Sequence, residues 1–257
     1  MIGKSTLKNY DFIVTLGFYN PAILSKCDVC FYPFLDCECD FYVRYEVGTE
    51  EGVVALLLYE FADKGADSKL DSFIKSLDYG YLSAESNVSE EELAELKNQI
   101  FTRKNPLLIA GEDITHHARK NSILNMLSAL KSHSKFEVLC ESLPQDFVLE
   151  SLVNLPEHNG CVIFVAQDLA QDSHESNADS KQDSRDLGVN PTLKISREFA
   201  RAWHLSDKQE IRFALDSQEI CAICKLDEKF SGIIGILSGV RLESKSYPFK
   251  SIAIQRA

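Results

Sequence analysis

Residues 11–17 read DFIVTLG. Ile13, Val14 and Thr15 are β-branched, and a compact apolar run bounded by glycine is the pattern of a buried strand. Asn20-Pro21 then supplies a turn and a helix start. Residues 29–34 (VCFYPF) form a second, weaker strand. Pro33 cannot donate to a ladder, so this strand is expected at an edge.

The same alternation continues downstream. Thr49 stands as an N-cap before Glu50-Glu51, and Val53, Val54, Leu57, Leu58 and Phe61 repeat at helical spacing as far as a stop at Gly65. Ser89 and Glu92 form a capping box ahead of Leu93, Leu96 and Ile100. Residues 107–110 (LLIA) read as a strand ending in Gly111. Ile123, Leu124, Leu127 and Leu130 mark one face of a helix near 116–132. Strands at 136–140 and 161–166 and a short helix at 147–153 follow. This rhythm predicts an α/β domain over residues 1–168: a mostly parallel, Rossmann-like sheet with helices on both faces.

The rhythm stops at residues 172–186, DSHESNADSKQDSRD, which contain one apolar residue, Ala178, and carry five acids against two bases. Too little surface can be buried there to offset the ordering entropy, so residues 169–189 are expected to be a flexible acidic linker or loop. Beyond it, short strands at 192–195, 211–215, 220–226, 232–237 and 251–254 and a helix at 197–204 predict a small β-rich, barrel-like domain over 190–257.

Composition narrows the function classes. The 257 residues are 45% hydrophobic and 26% charged, as in ordinary globular proteins. Lys and Arg number 27 against 39 acids, a net charge of −12. No basic stripe offers itself to nucleic acid. The longest unbroken apolar run, residues 53–59, is far short of the ~20 residues that span a bilayer. Residues 1–11 are polar and lack the apolar centre of a signal peptide.

The residues able to carry chemistry are few. Cys27, Cys30, Cys37 and Cys39 are half of the eight cysteines and crowd one short stretch with Asp28, Asp36, Glu38 and Asp40. Such thiols can bind Zn²⁺ or an iron–sulfur cluster, and a cation would relieve the neighbouring carboxylates. As one metal centre they would converge at the C-terminal edge of the sheet; otherwise they are reduced thiols in a loop. Cys221 and Cys224 lie in one strand, where residues three apart face opposite ways, so they are read as packing residues. His116 and His117, if helical, diverge by about 100° and would not chelate together; Glu112 or Asp113 is expected to cap that helix. The sequence contains no GxxxxGK[ST], GxGxxG, HExxH or GxSxG motif.

Several stretches resemble one family. YDFIVTLG at 10–17 is similar to the D-x-I-x-x-x-G strand-and-glycine element of molybdopterin oxidoreductases. RYEVGTEEGVVALL at 44–57 and NPLLIAGED at 105–113 resemble one branch of it more particularly. That branch is the peripheral-arm subunit of proton-pumping NADH-quinone oxidoreductase, complex I, that carries a large degenerate molybdopterin-oxidoreductase-like domain. Residues 193–237 are similar in layout to the superfamily's C-terminal barrel: a strand, a short helix holding Ala200 and Leu205, a polar turn, two strands meeting at Asp216-Ser217, and a closing glycine near Gly232. The turn after Leu205 reads SDKQ, where the family usually has Asp-Gly-Asp.

The resemblance implies the C-terminal, degenerate molybdopterin-enzyme-like part of the complex I subunit, without its N-terminal cluster-binding modules. The chain is accordingly expected to be a short variant, a split subunit or a truncated frame. The resemblance implies a scaffold that performs no catalysis alone, with no molybdopterin. It implies a place in the cytoplasm on the inner face of the cell membrane, among other subunits of the peripheral arm. Neither membrane insertion nor nucleic-acid binding is expected. Two readings stay open beside it. One is a small metal- or iron–sulfur-binding redox protein using Cys27, Cys30, Cys37 and Cys39; the other is a fragment of a molybdopterin-superfamily oxidoreductase.

Overall fold

The computed structural model describes residues 6–20, 24–34, 39–65, 67–156, 160–166, 191–240 and 246–256. The acidic stretch at 169–189 and Cys37 lie outside the described residues. The chain divides into two compact units, Met1–His158 and Asn159–Ala257.

The first unit is built on a parallel sheet. Its strands are β1 (Phe12–Leu16), β2 (Val29–Phe31), β3 (Phe41–Val43), β4 (Pro106–Ala110) and β5 (Glu137–Leu139), in the order β3-β2-β1-β4-β5. β1 is central and buried along its whole length, as its β-branched sequence requires. Alternation sends Phe12, Val14 and Leu16 into the main core and Ile13 to the opposite face, against Leu7, Leu107 and Ile109. Carboxylates tie the strand entries together. Asp11 accepts from the backbone N–H groups of Lys104 (2.8 Å) and Asn105 (2.9 Å), just ahead of β4. Asp28 accepts from Ile13 N at 2.7 Å, just ahead of β2.

β2 is not an edge. It lies between β1 and β3, because Pro33 falls beyond its last residue and interrupts no ladder. The edge on that side is β3, which is too short to leave a periodic signal.

The main core is covered by α1 (Glu50–Phe61), α2 (Ser68–Ser76), α3 (Tyr79–Ser86), α4 (Glu90–Phe101), α5 (Glu112–His116) and α6 (Lys120–Ser132). α1 is buried continuously from Glu50 to Leu58 and packs against α3, α4 and α6. Its apolar residues therefore surround the helix rather than forming a stripe. Thr49 occupies the N-cap position, but its hydroxyl donates to Glu46 O (2.7 Å) and caps nothing. At α4 the capping box forms in full: Glu92 N donates to Ser89 Oγ, and Ser89 N to Glu92 Oε2. The expected helix at 147–153 is absent. That stretch is irregular, and Val148 and Val153 stand in solvent.

The second unit is a curled mixed sheet, half of a barrel. Its strands are β6 (Cys161–Val165), β7 (Thr192–Ile195), β8 (Glu210–Leu215), β9 (Gln218–Leu226), β10 (Ile234–Ser238), β11 (Phe249–Ile252) and β12 (Gln255–Arg256), ordered β11-β6-β10-β7-β9-β8-β12. α7 (Arg197–Ala202) packs Phe199 into its core. β6 belongs here, between β10 and β11, and not to the first sheet, where the sequence rhythm places it. A short strand buried throughout reads the same in either sheet. The β8–β9 hairpin turns at Asp216 (φ 45°) and Ser217 (φ 70°), the left-handed pair of a two-residue loop. On β9, Cys221 is exposed and Cys224 buried, as the alternation predicts.

Candidate functional site

An open sheet of this strand order has one topological switch point, between β1 and β4. Related folds bind ligands in the crevice there, beyond the carboxyl ends of the strands. Here those ends lead into Gly17 and Gly111, and the two loops touch. Gly111 N donates to Leu16 O at 2.9 Å, and Asp113 N to Gly17 O at 3.3 Å. A Cβ placed on Gly111 would stand 2.1 Å from Gly17 O and 2.5 Å from Phe18 Cα. Gly17 itself is left-handed, φ +58°, and a Cβ there would lie 3.2 Å from Asp113 Cβ. Glycine is required at Gly111 because a Cβ would strike the Gly17–Phe18 backbone, and is favoured at Gly17 by its left-handed φ.

Two buried acids lie on one side of this contact, Asp113 against Gly17 and Glu50 near Asp113. Glu50 opens α1 fully buried, and Asp113, in the first turn of α5, is 5% exposed. Asp113 Oδ2 has no hydrogen-bond partner among the described residues. Burial, reinforced by the nearby Glu50 charge, raises the Asp113 pKa well above the usual carboxylate range. His117, also buried, accepts from Arg119 N at Nδ1 (3.0 Å), which leaves the proton on Nε2. Nε2 lies 3.3 Å from Glu50 Oε2 and 3.1 Å from Gly48 O. Tyr45 donates its hydroxyl to Glu50 Oε1 at 3.4 Å. Next to them Arg119 meets Glu51 Oε2 at 2.6 Å and donates to the carbonyls of Val153 (3.3 Å) and Asn154.

Chemically this group suits packing better than phosphate binding. Glu50 and Glu51 already satisfy the positive end of α1, where an anion would otherwise dock. Neither Glu112 nor Asp113 caps α5; the cap position is Gly111. His116 and His117 diverge as expected: His116 Nδ1 stays on its own helix, 2.9 Å from Glu112 O.

The cysteines occupy the other end of the sheet. Cys27 and Cys39 precede β2 and β3, each two residues upstream of the register pair Val29–Phe41. They therefore meet at the N-terminal edge, not the C-terminal edge expected from the sequence. Their sulfurs are 3.8 Å apart. Cys30 lies on β2, paired in register with Thr15 and Tyr42. Among the described residues no three His, Cys, Asp or Glu side chains converge as metal ligands. A structural zinc or an iron–sulfur cluster commonly takes four, so the described pair alone does not fit such a group. The Cys30 thiol beside Cys27, with burial, raises Cys27 to about 12; contact with Cys27 and burial raise Cys39 as well. Both thiols are protonated at neutral pH.

No protein-family model matches the chain, and no curated protein matches it. No helix among the described residues is long and apolar enough to cross a membrane.

Proposed function

We propose that this chain is a scaffolding, non-catalytic part of the peripheral arm of a proton-pumping NADH-quinone oxidoreductase, held on the inner face of the cell membrane by neighbouring subunits. The observation that carries this reading is the packing at the switch point. Among the described residues the two loops there meet backbone on backbone at Gly17 and Gly111, with buried Asp113 beside the contact and buried Glu50 near Asp113. That supports a domain in which the ancestral ligand position has become part of the core. Both sides of the contact fall in stretches that carry the resemblance: 10–17 to the molybdopterin-oxidoreductase strand-and-glycine element, and 105–113 to the complex I subunit more particularly.

The test separates support from catalysis. Deleting the chain should remove the peripheral arm from native gels of solubilised membranes and abolish NADH- or donor-driven quinone reduction. Restoring it as Asp113→Asn should restore both, because that carboxyl takes no part in electron transfer. An assembled arm without the chain would overturn the reading. So would an assembled but inactive complex carrying Asp113→Asn, or pterin fluorescence released from the purified chain.

A further inference from the structure

We propose that Cys27 and Cys39 form a reversible dithiol–disulfide pair, oxidised by low-molecular-weight disulfides, that staples β2 to β3 at the N-terminal edge of the first sheet. The inference stands on placement. Adjacent parallel strands lie about 4.8 Å apart, within the Cα separation a disulfide spans. Cys27 and Cys39 occupy corresponding positions upstream of the Val29–Phe41 register pair, and their sulfurs are already 3.8 Å apart. Both residues are half-buried, so a small reagent reaches them. The reduced pair is itself satisfied, since Cys27 donates to Leu24 O (3.0 Å) and Cys39 to Phe41 O (3.3 Å). Two stable states with little movement between them are the requirement for reversibility.

The chemistry balances with a disulfide reagent RSSR. The Cys27 thiolate attacks one sulfur of RSSR; a Cys27–SR bond forms, the S–S bond breaks, and RS⁻ leaves. The Cys39 thiolate then attacks the Cys27 sulfur, expelling the second RS⁻. The two thiol protons end on the two RS⁻ groups. Two electrons pass from the protein to the reagent. Because both thiols are protonated at neutral pH, the exchange is slow there and quickens as pH rises.

The experiment uses the full chain, reduced, then incubated with oxidised glutathione and mapped by peptide mass spectrometry. A Cys27–Cys39 cross-link, lighter by ~2 Da, should form and reverse with dithiothreitol. Exposed Cys221 should instead carry a glutathione adduct, an internal control for access. Closing so short a loop should raise the melting temperature of the first unit by about 5–10 °C. Cys39→Ser should abolish the cross-link and leave Cys27 glutathionylated; Cys27→Ser serves equally if the first variant misfolds. Linkage to Cys37 in place of Cys39, or modification of Cys221 with no cross-link, overturns the proposal. The tetrahedral edge of a zinc thiolate is also about 3.8 Å. Stoichiometric zinc or iron in the purified chain, lost in Cys39→Ser, therefore overturns it too.

Discussion

Gly111 rests on Gly17 so closely that a single added carbon on Gly111 would stand 2.1 Å from the Gly17 carbonyl oxygen. This contact joins the two strand ends that flank the switch point. The φ of Gly111, −88°, is one that any residue adopts, so glycine is needed there for space alone. Gly111→Ala should cost about 3 kcal/mol or more, since backbone on one side must move. Gly65 is the control: it has a φ of +87° but nothing within 4 Å of a Cβ. Gly65→Ala should cost only about 1 kcal/mol. Urea denaturation of the two variants gives the comparison, and equal losses would show that the contact is not tight.

Asp113 makes stability depend on pH. Burial, then the Glu50 charge, raises its folded pKa, while Tyr32 and Glu112 face the same carboxyl. The folded state therefore holds a proton that the unfolded chain releases near its ordinary value of about 4. The contribution is full below that value and is lost as pH rises through the folded pKa. Melting temperature should thus fall as pH rises above the unfolded value of about 4, and Asp113→Asn should flatten the fall. A wild-type profile that rises across this window, or one that the variant leaves unchanged, would contradict the assignment.

Arg119 holds the first turn of α1 to the irregular segment at 153–154. Its guanidinium meets Glu51, whose side chain is 4% exposed, and two backbone carbonyls. Arg119→Ala leaves that carboxylate buried and unpaired, at a cost of about 3 kcal/mol. Arg119→Lys should recover less than half, because one ammonium cannot serve three acceptors in a planar fork. Full rescue by lysine, measured by chemical denaturation, would mean that charge alone matters.

Ile13 lies on the central strand and is 7% exposed. Ile13→Asp should cost several kcal/mol and abolish soluble expression, because the carboxylate would face Leu7, Leu107 and Ile109. A folded variant with unchanged melting temperature would show that this face is solvated.

Much of the fold is legible where local chemistry suffices. β1 declares itself through consecutive β-branched residues, α4 through the Ser89–Glu92 box, and β9 through its alternating Cys221 and Cys224. What is not legible depends on distant pairing. β6 has the sequence of a strand buried throughout, and only its ladders to β10 and β11 assign it to the second sheet. The spacing at 147–153 is compatible with a helix, yet Val148 and Val153 find no core to cover. The acid group leaves no sequence signal for the same reason. His117 and Gly48 are 69 positions apart, and only the β3-β2-β1-β4 order brings α1 beside α5. The cysteine cluster is visible in the sequence, but the end of the sheet it occupies follows from the β2–β3 register.

The scaffold reading is tested most directly by tagging the chain at its native locus and purifying it from detergent-solubilised membranes. The account predicts that the iron–sulfur subunits of the quinone-reducing complex are recovered in near-equal molar amounts with the tagged chain. Recovery of the chain alone, with those subunits assembled into an active complex that lacks it, would contradict the account.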